Sequence, residues 1–579
     1  MKKLIALALS LSICLSFSSC SINENAVFDE NIYTEINIKE KEGVLEALAS
    51  KMSLCDKAPE AIRLYDLWEK EILKISDNVT YIELMFNLDT SNEESAKNKK
   101  LYDGFIPRVS ALDNKIIGYM LNLAPAELEN RIGKGRLEDV KAVLSLSSRD
   151  ISSLEARESE LCMEFDILEV RAREEINKSF SKIAKTLSSA RGKILTNKDI
   201  TYCFYKAKND FYKENKLEYE RILLELIKIR KEIASQCGMD SYADFCYTIN
   251  NRSYKKEDIE SFRSNIKNYI SPIYKALCDR KKEEMGKDKL CFYTPLIDYN
   301  SPCLKVNDAK LISKILASNI SRETKKCLKA MDKGGFMDID SSKNKAGGAF
   351  TTVFQKPRMP FIFASSSQTL DFVNTFIHEL GHSFSFYKAR NKPYLFDRSL
   401  DISEIHSHSM EILSLNFYDK ILKSDPNEAI ALYMENLLDL ILLSAMNDEF
   451  QQIIYEGEIS SIDDANKIYK ELYEEYFYDF DYDGLDYFEE GGIYSAISHI
   501  YTRPFYMIDY TLAILVSLNL YYLQEQSYDD ALSLYMDIIN TSKDLSFCEV
   551  LEKNNIPNPI FDYRAIEKAG NTFKNILLA

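Results

Sequence analysis

Five consecutive residues, His378-Glu379-Leu380-Gly381-His382, carry the chemistry most legible in this chain. Two histidines four positions apart on a helix lie about one turn from each other on one face, close enough to share a metal ion. Glu379 is about 100° around that helix from His378, so it borders the metal and can reach a water beside it. The pattern His-Glu-x-x-His is the zinc-peptidase signature, two imidazole ligands and a carboxylate base. The chain has five histidines, His378, His382, His406, His408 and His499, all within 378–499. Gly381 sits mid-helix, where glycine costs about 1 kcal/mol relative to alanine. That points to another element packing close there.

The elements that must position these residues follow from periodicity. Phe372, Phe376, Leu380 and Phe384 recur every fourth residue beside Val373 and Ile377, which predicts a buried helix over 370–387. A zinc on two histidines needs one more protein ligand and an open position. A metzincin would carry Gly at 385 and His at 388; Ser385 and Lys388 exclude that class. A second helix is predicted over 401–418, with Glu404, His408 and Glu411 on one face. Glu404 or His408 could coordinate, and Glu411 could orient a ligand histidine. His406 points to the opposite side and is expected to be packed or solvated. Upstream, Ala349–Val353 and Pro360–Ala364 read as short strands. An exposed edge strand there could take an extended peptide by backbone hydrogen bonding.

The order His-Glu-Leu-Gly-His followed by Glu404-x-x-Ser407-x-x-x-Glu411 resembles the M3 family of zinc metallopeptidases, the thimet oligopeptidase and oligoendopeptidase F group. The resemblance extends to Gly347-Gly348-Ala349-Phe350-Thr351, to Pro360-Phe361-Ile362-Phe363-Ala364, and to His499-Ile-Tyr-Thr-Arg503-Pro-Phe-Tyr506-Met-Ile-Asp-Tyr510, so it spans at least 345–520. It departs at His408, at Ser385 and in a slightly short loop before Glu404. It implies His378, His382 and Glu404 as ligands of one zinc ion, Glu411 behind a ligand histidine, and Glu379 as base. Gly347, Gly348, Ala349 and Phe350 would contact substrate. It places His499, Tyr506 and Tyr510 on the wall opposite the metal, where Tyr506 or His499 is expected to donate to the developing oxyanion and Tyr510 is the rival donor. The implied fold is mainly α-helical and two-lobed, enclosing a deep channel, with a small β-sheet beside the zinc helix. The implied activity is endopeptidase cleavage of short peptides. A metallocarboxypeptidase would need a group for the free carboxylate, for which Arg503 is the candidate. A non-catalytic peptide-binding surface lipoprotein would show a broken catalytic set, and this one is intact.

The totals agree with that fold. Only 18 glycines and 13 prolines in 579 residues argue for a mostly helical chain, and the length for more than one lobe. A net charge of −17 disfavours nucleic acid as a partner. Residues 1–20 read as a signal: Lys2-Lys3, an apolar run to Phe17, then Ser18-Ser19-Cys20. This resembles a bacterial lipoprotein signal and predicts an exported chain, lipid-anchored to the membrane of the cell envelope through Cys20. Residues 21–45 are expected to be a tether, 46–194 a helical N-terminal domain broken near Pro107 and Ala124-Pro125, and 195–579 the catalytic domain. Helices are predicted over Ile151–Leu187 (or a hairpin), Leu217–Gln236 and Lys256–Met285. No apolar stretch after the signal reaches the roughly 20 residues of a membrane span. Asp479-x-Asp481-x-Asp483-Gly484 with Glu490 matches a calcium loop literally, but Asp486 and Gly491-Gly492 fit it poorly. A solvated acidic loop is expected.

Overall fold

The computed structural model describes residues 26–28, 32–146, 151–191, 195–297, 306–367, 369–392, 397–422 and 425–578. The expected lipoprotein signal and Cys20 lie outside these residues. The fold is mainly α-helical with one small sheet, as the sparse glycine and proline imply.

The N-terminal helices Ile38–Ser53, Ala58–Leu88, Glu93–Leu123, Pro125–Ile132 and Lys134–Leu146 share one core around Tyr65, Trp68, Phe105 and Ile116. The first begins at Ile38 and buries Leu45, inside the stretch expected to be a tether. Ala124-Pro125 does separate two helices, with Pro125 in the first turn, where its missing N–H costs nothing. Pro107 does not break its helix; it lies buried inside Glu93–Leu123. Proline there removes one backbone hydrogen bond, and burial of Phe105, Ile106 and Val109 on the same helix outweighs that loss.

Ser152–Arg191 is one continuous helix. Its apolar residues Leu161, Phe165 and Leu168 join the larger core shared with the chain from 203 onward, and Phe165 stacks on Tyr501 at 4.2 Å between ring centroids. Lys216–Gln236 is helical, whereas the stretch expected as Lys256–Met285 is two helices, Lys256–Tyr269 and Ser271–Met285. Pro272, in the first turn of the second, marks the break. Pro426–Glu456 is long and apolar enough to cross a membrane by length and composition, unlike the expectation above. Here it buries Leu437, Leu438, Ile441 and Phe450 in the core.

The sheet has three strands, β1 (Met337–Asp338), β2 (Ala349–Phe354) and β3 (Met359–Ala364), in the order β1-β3-β2. β2 and β3 form an antiparallel hairpin in which Ala349 faces Ala364 and Phe354 faces Met359. β3 is buried throughout and β2 is an edge. The N-terminal unit grips the hairpin: Asp77 accepts from the backbone N–H groups of Gln355 (2.6 Å) and Lys356 (3.0 Å), and Ala346 N–H donates to the Asn87 carbonyl (2.7 Å). Strand and N-terminal unit are thereby held as facing walls of one cleft.

Candidate active site

Two helices build the floor of that cleft, Leu370–Ala389 and Leu400–Ser414. The first is capped by Thr369 and buries Phe372, Val373, Phe376, Leu380 and Phe384, the predicted stripe. They cross at Gly381. A Cβ there would lie 2.6 Å from both the His406 carbonyl oxygen and the Ser407 Cα, so a residue larger than glycine would push the helices apart. This close approach is the packing that the mid-helix glycine signalled.

The crossing delivers Glu404 to the imidazoles. Glu404 Oε2 lies 3.3 Å from His378 Nε2 and 3.5 Å from His382 Nε2, and one ligand atom from each of the three residues falls within 4.8 Å of the others. Glu404 is 2% exposed, whereas His378 and His382 are 18% and 13% exposed, so the group is closed behind and open toward the cleft. Two imidazoles, one carboxylate and an open side fit a catalytic zinc site. The electrostatics also fit a cation: burial alone would favour a neutral Glu404, yet His382 and His378 hold its carboxyl well below the usual range. Burial likewise opposes a charge on His378, but Glu404 and Glu411 outweigh it and raise the imidazole well above its ordinary value.

Each member of the set has its own support. His378 Nδ1 donates to Glu411 Oε1 at 2.7 Å, which turns Nε2 toward Glu404. Burial pushes the Glu411 carboxyl up, but His408 and His378 bring it down to about 2. Ser403 Oγ lies 3.3 Å from His382 Nδ1. Ser407 Oγ donates to Glu404 Oε2 at 3.0 Å, and the Tyr506 hydroxyl donates to Glu404 Oε1. Glu404 thus has one oxygen taken by Tyr506 and the other turned toward the histidines. Thr351 Oγ1, on β2, lies 2.8 Å from both the backbone carbonyl and Oε2 of Glu379. The sequence assigns no role to Thr351 or Ser403; the signal for Thr351 is its place at the end of the matched Gly347–Thr351 stretch.

The third-ligand alternatives separate clearly. His408 joins His378 and Glu411 in a second group of donor atoms, with its Nδ1 3.1 Å from Glu411 Oε1 but poorly aligned for a hydrogen bond. Only Glu404 reaches both His378 and His382. His406 points away, as its spacing requires, with Nε2 3.2 Å from Asp397 Oδ1 and 3.0 Å from Ser542 Oγ.

His499, Tyr506 and Tyr510 come together on the facing wall. Ring centroids are 5.5 Å apart for His499–Tyr506, 5.0 Å for Tyr506–Tyr510 and 6.0 Å for His499–Tyr510. The two tyrosines differ in what their hydroxyls do. That of Tyr506 is engaged with Glu404. That of Tyr510 makes no hydrogen bond among the described residues, and burial together with Glu404 raises its pKa well above the ordinary phenol value. It stays a protonated donor.

The cleft has two neighbouring chambers of about 500 and 380 Å³ that share part of their lining. His378, Glu379, His382, Glu404 and Tyr506 line the smaller; Gly347, Gly348 and His499 line the larger. Ala349, Phe350, Thr352 and Val353 of β2 line both, so the free strand edge runs from one chamber to the other past the metal-site residues. The acidic loop takes other partners: Asp479 pairs with Lys289 (2.7 Å), Asp483 accepts from the Tyr293 hydroxyl (2.6 Å), and Asp486 pairs with Lys213.

Residues 323–534 match the model of Peptidase family M3, a segment that includes every histidine, glutamate and tyrosine of the site. No curated protein matches the chain. Among solved structures the chain is similar to PZ peptidase A determined with an inhibitor, at 24% identity and a TM-score of 0.84 over 94% of this chain and 98% of that one. A candidate oligoendopeptidase F from Bacillus anthracis gives 20% identity and a TM-score of 0.80 over 96% and 99%. Oligoendopeptidase F from Enterococcus faecium gives 15% and 0.63 over 93% and 96%. Residues 323–534 are therefore similar to Peptidase family M3, within a chain that has the fold of the oligoendopeptidase structures.

Proposed function

We propose that this protein is a zinc-dependent endopeptidase that hydrolyses short peptides. The observation that carries this reading is the convergence of His378, His382 and Glu404 beside Glu379, under a free strand edge. His378 and His382 through Nε2, and Glu404 through Oε2, would hold one zinc ion. Zinc bound there supplies Lewis acidity, polarising a peptide carbonyl and easing loss of a proton from water.

The chain's own residues supply the rest. An extended peptide adds to the edge of β2, with Gly347, Gly348, Ala349 and Phe350 beside it, and main-chain hydrogen bonds fix its register independently of side-chain identity. Glu379, held by Thr351, takes the proton from the attacking water and passes it to the leaving amine nitrogen. The hydroxyl of Tyr510 and the His499 ring face the carbonyl oxygen as charge develops on it. Tyr506 keeps one oxygen of Glu404 occupied and leaves Oε2 as the atom that would hold the ion. Glu411 fixes the tautomer of His378. Chambers of this size admit a few residues of extended chain and exclude a folded domain. The expected N-terminal domain, 46–194, would form one wall, with its last helix Ser152–Arg191 packed into the larger core, and 195–579 would form the catalytic body. Residues 1–20 would export the chain and leave it lipid-anchored through Cys20.

Incubation of the zinc-loaded protein with a mixed peptide library, followed by mass spectrometry of the products, tests the reading. Internal cuts are expected, and Glu379→Gln should retain about one zinc per chain while losing turnover. A variant that still cuts at the parent's rate would overturn it.

A further inference from the structure

The hydrolysis described above uses none of the lysines and arginines that line the cleft among the described residues, and of these Arg503 is placed differently from the rest. Arg503 lines both chambers and, among the described residues, is the only lysine or arginine that does. The other described cations that line the chambers are already engaged: Arg398 is bound to Asp139 at 2.6 Å, Lys99 pairs with Asp103, and Arg136 donates to the Asp397 carbonyl at 3.3 Å; Arg173 lies beside Gly347 but lines neither chamber. The Arg503 guanidinium has no ion pair and no hydrogen bond among the described residues; its contact is the Tyr506 ring, 5.9 Å away. Tyr506 in turn touches Glu404, so Arg503 stands one aromatic ring from the metal-site group.

Its backbone is firmly placed. The Arg503 N–H donates to the His499 carbonyl at 2.9 Å, and its carbonyl accepts from Tyr506 N–H at 3.3 Å. Two residues on, Phe505 has φ of +58°, a region that bulky residues rarely occupy and that persists only when the surroundings over-determine it. Here Gln451 accepts from the Phe505 N–H at 2.7 Å, Arg252 holds the Phe505 carbonyl, and Asp509 holds Arg252 at 2.8 Å. Such a strained, heavily tied turn fixes the origin of the Arg503 side chain. A planar guanidinium matches a carboxylate through two parallel hydrogen bonds. The chain's net charge of −17 sets a field that repels acidic peptides, so a local cation matters most for them.

We propose that Arg503 binds a carboxylate of the peptide close to the scissile bond, which makes acidic peptides the preferred substrate class. The inference rests on the peptidase reading above. The carboxylate can be an Asp or Glu side chain or the peptide's own C-terminus, the latter placing the cut near that end.

Four versions of one quenched peptide separate these sources: Glu or Gln beside the cleaved bond, each with a free or an amidated C-terminus. The parent should favour the carboxylate by about ten- to a hundredfold in kcat/KM, the range of a hydrogen bond to a charged group. Loss of the preference on Glu-to-Gln exchange identifies a side chain, and loss on amidation identifies the terminus. Arg503→Gln should collapse the ratio, and Arg503→Glu should turn it toward a Lys peptide. Ratios taken within one variant are insensitive to partial unfolding. The same ratios are read without turnover by fluorescence anisotropy of labelled peptides on Glu379→Gln and Glu379→Gln/Arg503→Gln proteins. A parent that does not discriminate, or an Arg503→Gln protein that keeps the parent's ratio, overturns the proposal. Carboxylate-selective binding that depends on Arg503, with none of the four peptides cut by the zinc-loaded parent, would support Arg503 and sink the peptidase reading instead.

Discussion

Thr351 Oγ1 sits 2.8 Å from the backbone carbonyl of Glu379 and 2.8 Å from its Oε2, so the edge strand and the candidate base are tied through one hydroxyl. Strand position and carboxylate orientation are thereby coupled. Thr351→Val keeps the shape and removes the donor. It should lower kcat about tenfold, the scale of a net hydrogen bond of about 1.4 kcal/mol, with zinc content unchanged. Thr351→Ser should restore most of the loss, because its hydroxyl can make the same contact. Steady-state kinetics on one quenched peptide reads both.

Glu404 and His408 compete for the third ligand position on sequence alone, and the geometry assigns them differently. Glu404→Ala should abolish tight zinc binding, since it alone faces both His378 and His382. His408→Ala should leave nearly one zinc per chain. Metal analysis after dialysis against a weak chelator decides between them; zinc loss confined to the His408 variant would reverse the assignment.

The two wall tyrosines should also separate. Tyr510→Phe removes the unengaged hydroxyl and should cost roughly 10²–10³ in kcat, the effect of losing one oxyanion donor, with little change in zinc content. Tyr506→Phe leaves Glu404 Oε1 without its donor. It should show first as weaker zinc retention and only secondarily as lower kcat. Equal zinc retention and a larger kcat loss in Tyr506→Phe would interchange the roles.

A further prediction concerns the N-terminal core. Burial pushes the Asp113 carboxyl up to about 7, although Trp68 Nε1 donates to it. A carboxylate whose folded pKa lies above its unfolded value, about 3.9, binds more protons folded than unfolded between those two limits. Its contribution is therefore most favourable below pH of about 4 and is lost as pH rises through about 7. The loss is on the order of 1–4 kcal/mol. Asp113→Asn cannot ionise, so its Tm should fall less than the parent's between pH 5 and pH 7. Parallel Tm profiles for the two proteins would refute the assignment.

Much of this protein is determined by sequence through local periodicity. The four-residue recurrence of Phe372, Phe376, Leu380 and Phe384 specifies a buried helix whatever surrounds it, and that helix places His378 and His382 on one face. The strands at 349–354 and 359–364 and the helix at 400–414 are local in the same sense. What tertiary structure decided are relations between elements far apart in the chain. Whether Pro107 ends a helix depends on the core around it. Whether residues 152–191 pack with the N-terminal unit or the larger core depends on Tyr501, more than three hundred positions away from Phe165. The choice of Glu404 over His408 follows from two helices meeting at Gly381, where the missing Cβ lets the His406 carbonyl approach. Tyr506 and Tyr510 share a helical spacing, and only the position of Glu404 beneath them leaves one hydroxyl occupied and the other free. Arg503 stands out for the same reason: its type is legible in the sequence, while its lack of an ion partner among the described residues is a property of everything folded around it.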